Sequence, residues 1–291
     1  GDRWYASTVS KKPRHPETNT PTIRLGPGSD EPVELPPHLR LEPGDTVGHY
    51  EIISVVAEGG FGIVYLAEQH APVRRRVALK IIKPGMDTRA VIARFEAERQ
   101  ALAILDHPGI AKVYDAGATD DGRPFFVMEY VEGDPVTDYF DEHRLTTIQR
   151  LEVMIDICAA IQHAHMKGII HRDLKPSNIL VLTDDDGNPQ PKVIDFGVAK
   201  ATSVELTEQS FCTESGQLIG TPEYMSPEQA DLGSTDVDTR SDVYSLGMIL
   251  YEAVSGALPF ESIAMRQAGF SELCRIIQED DPPKPSARLQ S

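Results

Sequence analysis

The sequence predicts an α+β protein in which strands dominate the first part and helices the second. Short runs rich in β-branched and aromatic residues, bounded by glycine, proline or polar residues, recur between Tyr50 and Tyr130. After residue 146, two long segments repeat their apolar residues at three- and four-residue steps, which is typical of helices. A group of strands followed by a group of helices indicates an α+β fold.

The composition is that of a soluble globular protein. The chain has 291 residues, of which 40% are hydrophobic and 25% are charged, so it can hold one large or two small domains. Its formal net charge of -17 argues against nucleic acid or anionic lipid as a partner, because phosphates repel such a field. A basic peptide would fit better.

The cysteines and the hydropathy indicate a cytoplasmic protein portion. Cys158, Cys212 and Cys274 have no metal-ligand spacing and are interpreted as unpaired thiols. No signal peptide or membrane contact is predicted, because charged and histidine residues interrupt the most apolar segment, 151–170. The chain begins with Gly1, so a membrane anchor beyond either end is left open.

Residues 1–46 are expected to form a flexible leader. Prolines are spread through this stretch among serine, threonine and charged residues, and no apolar periodicity is present. The leader is either a passive linker, which we prefer, or a docking or autophosphorylated tail.

The predicted strands form one five-stranded sheet. They span 50–56, 63–67, 76–82, 111–116 and 125–130. The first two flank a glycine-rich turn, Glu58 to Gly62, and such a hairpin can lay backbone N–H groups over phosphates. Lys80 lies in the middle of the third strand.

A helix is predicted between the third and fourth strands, from a cap at Asp87 to about Leu105. Glu98 falls on the same helix face as Phe95 and Leu102. A carboxylate in an apolar stripe needs a cation, unless Glu98 lies exposed at the edge of the stripe.

Two further helices are predicted in the second part. Thr147 can cap the first, which Gly168 ends, and whose core stripe is predicted to contain Leu151, Ile155, Cys158, Ile161 and His165. Thr239 can cap the second, which spans 240–255. The second is apolar almost all round and is therefore predicted to be central and buried. A shorter helix is predicted over 269–278.

The stretch from His171 to Gly197 contains the candidate catalytic residues. Two short strands, separated by a turn at 184–189, are predicted to fold back on each other. This hairpin brings Asp173, Lys175 and Asn178 beside Asp195, so that two carboxylates, one amide and one ammonium group lie close together.

That set of groups suits phosphoryl transfer. Mg²⁺ prefers hard oxygen ligands, so Asp195 and Asn178 can hold the metal. Asp173 is then available to orient a hydroxyl group and accept its proton, and Lys175 can neutralise charge on the transferred group.

These residues, in this order and spacing, resemble the protein kinase family. The match rests on His171-Arg172-Asp173-Leu174-Lys175-Pro176-Ser177-Asn178, which resembles the catalytic loop, and on Asp195-Phe196-Gly197, which resembles the metal loop. Lys175 makes the chain resemble the Ser/Thr branch of the family. The amino-acid sequence at 220–230 is similar to that of the eukaryotic-like Ser/Thr kinases of bacteria.

The resemblance implies a two-lobed fold. The kinase domain would span 47–291, with a small sheet-plus-helix lobe over 47–129 and a mainly helical lobe over 130–291 whose C-terminal helices are expected to be missing. Lys80 would bind phosphates with Glu98 as its helix partner. Nucleotide-binding positions would be Ala57, Gly59, Gly60, Phe61, Gly62, Val64, Ala78, Lys80, Met128, Glu129, Val131 and Leu180. Ala57 departs from the family because it occupies the first glycine position.

The resemblance also implies regulation through residues 198–219, which match the activation loop. Arg172 could bind a phosphate there, and Thr213 and then Ser215 are the expected phosphorylation sites. Thr221 is expected to contact Asp173 and Lys175 in the substrate loop. Asp242 matches the family's anchor for the catalytic-loop backbone.

The implied function is transfer of the ATP γ-phosphoryl group to Ser or Thr hydroxyls of proteins in signal transduction. ATP and Mg²⁺ would be the cofactors, with Mn²⁺ as an alternative metal. The partners would be a protein substrate and, for autophosphorylation in trans, a kinase homodimer. The rival hypothesis is a pseudokinase scaffold, whose signature would be loss of Lys80, Asp173 or Asp195; all three are present.

Overall fold

The computed structural model describes residues 40–59, 62–83, 104–196, 221–231, 237–260 and 269–288. They form two compact units. The described residues up to 83, together with Val113–Glu132, make the first unit, and those over 104–112 and from Gly133 onward make the second. The leader up to 39, most of the helix predicted from Asp87 to Leu105, and the segment 198–219 lie outside the described residues.

The first unit is built on one antiparallel sheet. Its strands are β1 (Thr46–Val47), β2 (Tyr50–Glu58), β3 (Gly62–Gln69), β4 (Arg75–Ile82), β5 (Val113–Ala118) and β6 (Pro124–Glu129), in the spatial order β1-β2-β3-β4-β6-β5. The prediction of five strands was wrong because β1 also pairs with β2. A two-residue strand is too short to show any alternation in the sequence.

Gly62 is required by the packing of this sheet. A Cβ atom at position 62 would lie 2.4 Å from the carbonyl oxygen of Ile81 on the neighbouring strand, closer than any side chain can approach. The N–H of Gly59 donates to the carbonyl of Gly62 over 3.0 Å and closes the hairpin. Gly62 therefore has a structural role whether or not phosphate binds.

The second unit is mainly helical. Over the described residues its helices are α1 (Val136–Glu142), α2 (Thr147–Met166), α3 (Pro227–Ala230), α4 (Thr239–Ser255), α5 (Phe270–Glu279) and α6 (Pro285–Arg288). A three-stranded antiparallel sheet consists of β7 (Asp134–Pro135), β8 (Ile179–Thr183) and β9 (Pro189–Val193). The predicted hairpin after the catalytic stretch corresponds to β8 and β9. Among the helices described, none is both long and apolar enough to cross a membrane.

Helix α2 faces the core with a different stripe from the one predicted. Its cap is Thr146, whose side chain and backbone N–H exchange hydrogen bonds with Gln149 in a capping box. Leu151 and Ile155 are 39% and 67% exposed. The buried residues are Val153, Met154, Ile157, Ala160, Ile161 and Ala164. Both sides of this helix carry apolar residues, so periodicity alone selected the wrong one.

Helix α4 is less buried than predicted. Its N-cap is Asp238, which accepts from the N–H of Arg240, and its C-cap is Gly256 with a φ of 73°. Val243 is 61% exposed, whereas Ser241, Asp242 and Ser245 are buried. The polar residues point inward because they hydrogen-bond to neighbouring segments, which an apolar pattern cannot reveal.

Candidate active site

The catalytic loop gathers Asp173, Lys175 and Asn178 at the start of β8. The Nζ atom of Lys175 lies 2.9 Å from Oδ2 of Asp173. The side-chain amide of Asn178 donates to the carbonyl oxygen of Asp173 over 2.8 Å and to Oδ2 over 3.3 Å. The predicted proximity of these three side chains is therefore present in the structure.

Asn178 also ties this loop to the residue before Asp195. A 3₁₀ turn over Pro176–Asn178 leads into β8. The carbonyl of Asn178 accepts the N–H of Ile194 over 2.9 Å, so the start of β8 holds the end of the returning strand. Because the amide nitrogen of Asn178 makes both bonds to Asp173, the amide oxygen is the atom suited to a cation. With the Asp195 carboxylate, this donor chemistry fits a hard divalent metal.

Asp195 and Arg172 both have left-handed backbone conformations. Their φ angles are 63° and 65°, a region that residues other than glycine enter uncommonly. Phe196, next to Asp195, is buried, and its ring lies 4.7 Å from that of His171. The two loops are thus packed together through one aromatic contact.

His171 is held in one neutral form. Its Nε2 atom lies 3.0 Å from the carbonyl oxygen of Ile194, which can only accept, so Nε2 carries the proton. Its Nδ1 atom accepts the N–H of Asp173 over 3.3 Å. Burial lowers the pKa of His171, in agreement with this neutral state. The ring therefore fixes the peptide nitrogen of Asp173.

Asp242 anchors the same loop from α4. Its carboxylate accepts the N–H groups of His171 and Arg172, each over 2.8 Å, and lies 2.7 Å from Nε2 of His165. Burial acts to raise the pKa of Asp242, but the bonds from His165 and the two backbone N–H groups outweigh it and hold the pKa below its usual range.

This arrangement predicts an acid-sensitive contribution of Asp242 to stability. A carboxyl whose folded pKa is depressed stabilises the fold above its ordinary pKa of about 3.9, and that contribution is lost as the pH falls. We expect Asp242→Asn to cost about 1.5–3 kcal/mol at neutral pH, in the range for hydrogen bonds to a charged group. In urea unfolding, the gap between wild type and variant should narrow below about pH 4; a gap independent of pH would contradict the assignment.

The residues expected to bind nucleotide lie mostly in the first unit. Lys80 lies in β4, opposite Val64 on one side and Phe126 on the other. Ala57 pairs with Val64, and Ala78 pairs with Met128. Met128, Ala78 and Val131 are buried, whereas Gly59 and Ala57 are exposed.

Several predicted site residues lie outside the described residues, and nothing is concluded about their positions. They are Gly60, Phe61, Glu98, Thr213 and Ser215. Two others are described in the second unit. Leu180 lies in β8, opposite Lys192 and Pro135. Thr221 precedes a 3₁₀ turn over Pro222–Tyr224 and is half-buried, and its contact with Asp173 and Lys175 stays a prediction.

His165 contacts the residue that anchors the catalytic loop, Gln229 contacts the loop itself, and neither contact was predicted. His165 was predicted to lie in a core stripe, but its ring nitrogen reaches Asp242 of α4. The amide of Gln229 reaches the carbonyl of Arg172. Both contacts join residues far apart in the sequence, and no local pattern signals them.

The comparison with known families agrees with this geometry. Residues 50–289 match the family described as the protein kinase domain. The chain therefore belongs to the protein kinase family, and the predicted two-lobed α+β kinase fold is confirmed.

The curated relatives are bacterial serine/threonine-protein kinases. The chain is 36% identical over 245 residues to Pkn1 of Myxococcus xanthus, an alignment that covers 84% of this chain and 33% of the relative. It is 36% identical over 251 residues to PknB of Mycobacterium tuberculosis, with coverages of 84% and 38%. The chain thus spans little more than a third of the length of these relatives.

A solved structure shows the same fold. The PknI kinase domain of Mycobacterium tuberculosis, crystallised as a point mutant, superposes with a TM-score of 0.61 at 26% identity. The match covers 85% of this chain and 84% of that one.

Proposed function

We propose that this chain is the catalytic domain of a serine/threonine protein kinase, which transfers the γ-phosphoryl group of ATP to protein Ser or Thr hydroxyls. The observation that carries this proposal is the placement of Asp173 between the ammonium group of Lys175 and the amide of Asn178. Membership of the kinase family and the names of the relatives support it. The domain would span 47–291, with lobes over 47–129 and 130–291.

The catalytic roles follow from the chemistry of each group. Asp173 would orient the acceptor hydroxyl and take its proton, as a positioned carboxylate can do. Lys175 would stabilise the charge on the transferred group. Asn178 and Asp195 would hold Mg²⁺, or Mn²⁺ in its place, which would neutralise phosphate charge.

The first unit would hold the nucleotide. Lys80 would contact the phosphates and pair with Glu98, and the backbone of the hairpin at 59–62 would lie over them. The backbone of Glu129 and Val131 would bind adenine, with Met128 behind it, and Ala57, Val64 and Ala78 would also contact the nucleotide.

Transfer of radiolabelled phosphate from ATP to a generic basic protein tests the proposed function directly. We expect transfer that depends on divalent metal. Nucleotide binding without transfer would instead favour the pseudokinase scaffold. Lys80→Met is the matching negative control, because it removes the phosphate-binding cation and leaves a side chain of similar length.

Activation by autophosphorylation belongs to the same proposal. Arg172 lies directly before Asp173 and is half-buried, and a guanidinium there would bind a phosphate on the segment 198–219. Incubation with ATP and Mg²⁺ should place phosphate on Thr213 first and Ser215 second, as mass spectrometry would reveal. Transfer between molecules that associate only transiently into a homodimer would make the rate rise with the square of the enzyme concentration.

A double variant, Thr213→Ala with Ser215→Ala, tests that assignment. Its activity is expected to stay at the level of the unphosphorylated enzyme after incubation with ATP. Full activity in the double variant would refute the assignment of these residues.

The partners in this proposal are proteins with accessible Ser or Thr, and not nucleic acid, because the net charge is -17. A cytoplasmic location for this portion is also proposed. Cys158 and Cys274 are free thiols, as is usual in reducing compartments.

A further inference from the structure

Gln229 is a buried polar residue that reaches the catalytic loop from α3. It is 6% exposed and lies at the third position of that helix. Its amide nitrogen donates to the carbonyl oxygen of Arg172 over 2.7 Å, across 57 residues of sequence. This bond joins the segment 221–231 to the residue immediately before Asp173.

The oxygen atom of the Gln229 amide is also hydrogen-bonded. Its Oε1 atom accepts the backbone N–H of Ser226 over 3.1 Å and the hydroxyl of Ser226 over 3.2 Å. Ser226 is fully buried. The amide plane is therefore oriented by the helix cap, which leaves its nitrogen aimed at the loop.

The helix that carries Gln229 is anchored to the rest of the second unit. Met225 and Ala230, on either side of it, pack in a buried cluster with Leu273 and Ile277 of α5. Ser245 of α4 donates its hydroxyl to the carbonyl of Tyr224 over 2.8 Å. These contacts fix the position of α3, and therefore the position from which Gln229 reaches the catalytic loop.

The contacted carbonyl belongs to the peptide bond between Arg172 and Asp173. The N–H of the same peptide donates to Nδ1 of His171, and the N–H of Arg172 is held by Asp242. Arg172 has a φ of 65°, a conformation that residues other than glycine keep only when surrounding contacts hold it. With Gln229 in place, both ends of the peptide are restrained.

We propose that Gln229 is a positioning residue, which fixes the Arg172–Asp173 peptide and thereby the direction of the Asp173 carboxylate. This inference rests on the proposed kinase function, in which Asp173 acts on the substrate hydroxyl. Loss of the bond lets the peptide plane rotate, and a misplacement of about 1 Å at a catalytic group costs about 10²-fold in rate.

Gln229→Glu separates this role from the helix cap. Glutamate accepts hydrogen bonds from a cap residue as well as glutamine does, so the contacts with Ser226 are kept. An ionised carboxylate cannot donate to the Arg172 carbonyl, but a protonated carboxyl can. The lost bond should therefore return as the pH falls.

The expected result is a kcat about ten- to a hundred-fold below wild type near pH 8, with the KM for ATP nearly unchanged. The ratio of variant to wild-type kcat should rise as the pH is lowered toward about 5.5, because a buried carboxyl titrates above its usual range. Gln149→Glu is the matched control: it makes the same change in the capping box of α2, which is exposed, and should leave both kcat and the pH profile unchanged.

The environment of the Asp173 amide can be measured by NMR even in a protein that transfers no phosphate. In ¹⁵N NMR spectra, the amide signal of Asp173 should shift with pH in Gln229→Glu in step with the variant's kcat ratio, and should not do so in wild type or Gln149→Glu. Absence of transfer by wild type would overturn the proposed function, while this shift would still support the positioning role.

Two outcomes would overturn the inference. One is a Gln229→Glu enzyme with wild-type kcat and an unperturbed Asp173 amide at every pH. The other is a lowered kcat that does not change with pH and is accompanied by a lower melting temperature. That result would mean that Gln229 only stabilises the fold. If Gln229→Glu does not fold, Gln229→Met decides: kcat should fall with the KM for ATP unchanged, and wild-type kcat in that variant would refute the role.

Discussion

An Asp195→Asn protein is expected to fold normally and to lose phosphoryl transfer altogether. The substitution removes one negative charge from the proposed metal site without changing the side-chain volume. Asp195 has a φ of 63°, and asparagine adopts this left-handed conformation as readily as aspartate does. The backbone of the loop should therefore stay as it is while the ligand charge is lost.

Radiolabelled transfer and thermal melting, measured together, test this expectation. Asp184→Asn is the matched control, because Asp184 lies in the turn at the other end of the same hairpin and accepts hydrogen bonds from Asp186, Asn188 and Gln190 around that turn. The control should keep wild-type activity. Transfer at the wild-type rate by Asp195→Asn would show that the metal site is assigned to the wrong residue.

Asp173→Asn is expected to lower kcat by about 10²- to 10⁴-fold while ATP binding is retained. The amide cannot take a proton from the substrate hydroxyl, and its nitrogen cannot accept from Lys175 and Asn178. None of the residues that we expect to contact the nucleotide is altered. Calorimetric titration with ATP, alongside the rate, would separate the two effects, and a parallel loss of ATP affinity would argue against Asp173 as the proton acceptor.

Much of the architecture was predictable from local patterns. Alternation and turn residues located β2, β3, β4 and β6 to within two or three residues, because strand ends in this chain coincide with glycine, proline or charged residues. The β8–β9 hairpin followed from its turn in the same way. Helices α2 and α4 were placed well but oriented poorly, since Leu151 and Ile155 of α2 and Val243 of α4 are exposed.

The residues themselves predicted the candidate site only where they are close in sequence, and the family resemblance added Asp242. Asp173, Lys175 and Asn178 lie within six positions, so a motif could define them. The hydrogen bonds between His171 and Asp242 and between Gln229 and Arg172 span 71 and 57 residues, and only the first was implied by the family resemblance. Such bonds depend on how helices and loops pack, and a single sequence does not encode that as a local pattern.

The positive φ angles of Arg172 and Asp195 have a consequence for the evolution of this chain. Residues other than glycine in sparsely populated backbone regions cost of order 1–3 kcal/mol each, and glycine would relieve that cost at either position. A search for thermostable variants would therefore favour glycine at the two positions where it removes an arginine and a carboxylate from the catalytic loops. Under the proposed function, selection for activity favours Arg172 and Asp195, whereas selection for stability favours glycine at both positions. Retention of the two residues in a population that accumulates mutations would therefore indicate that the cell needs the activity.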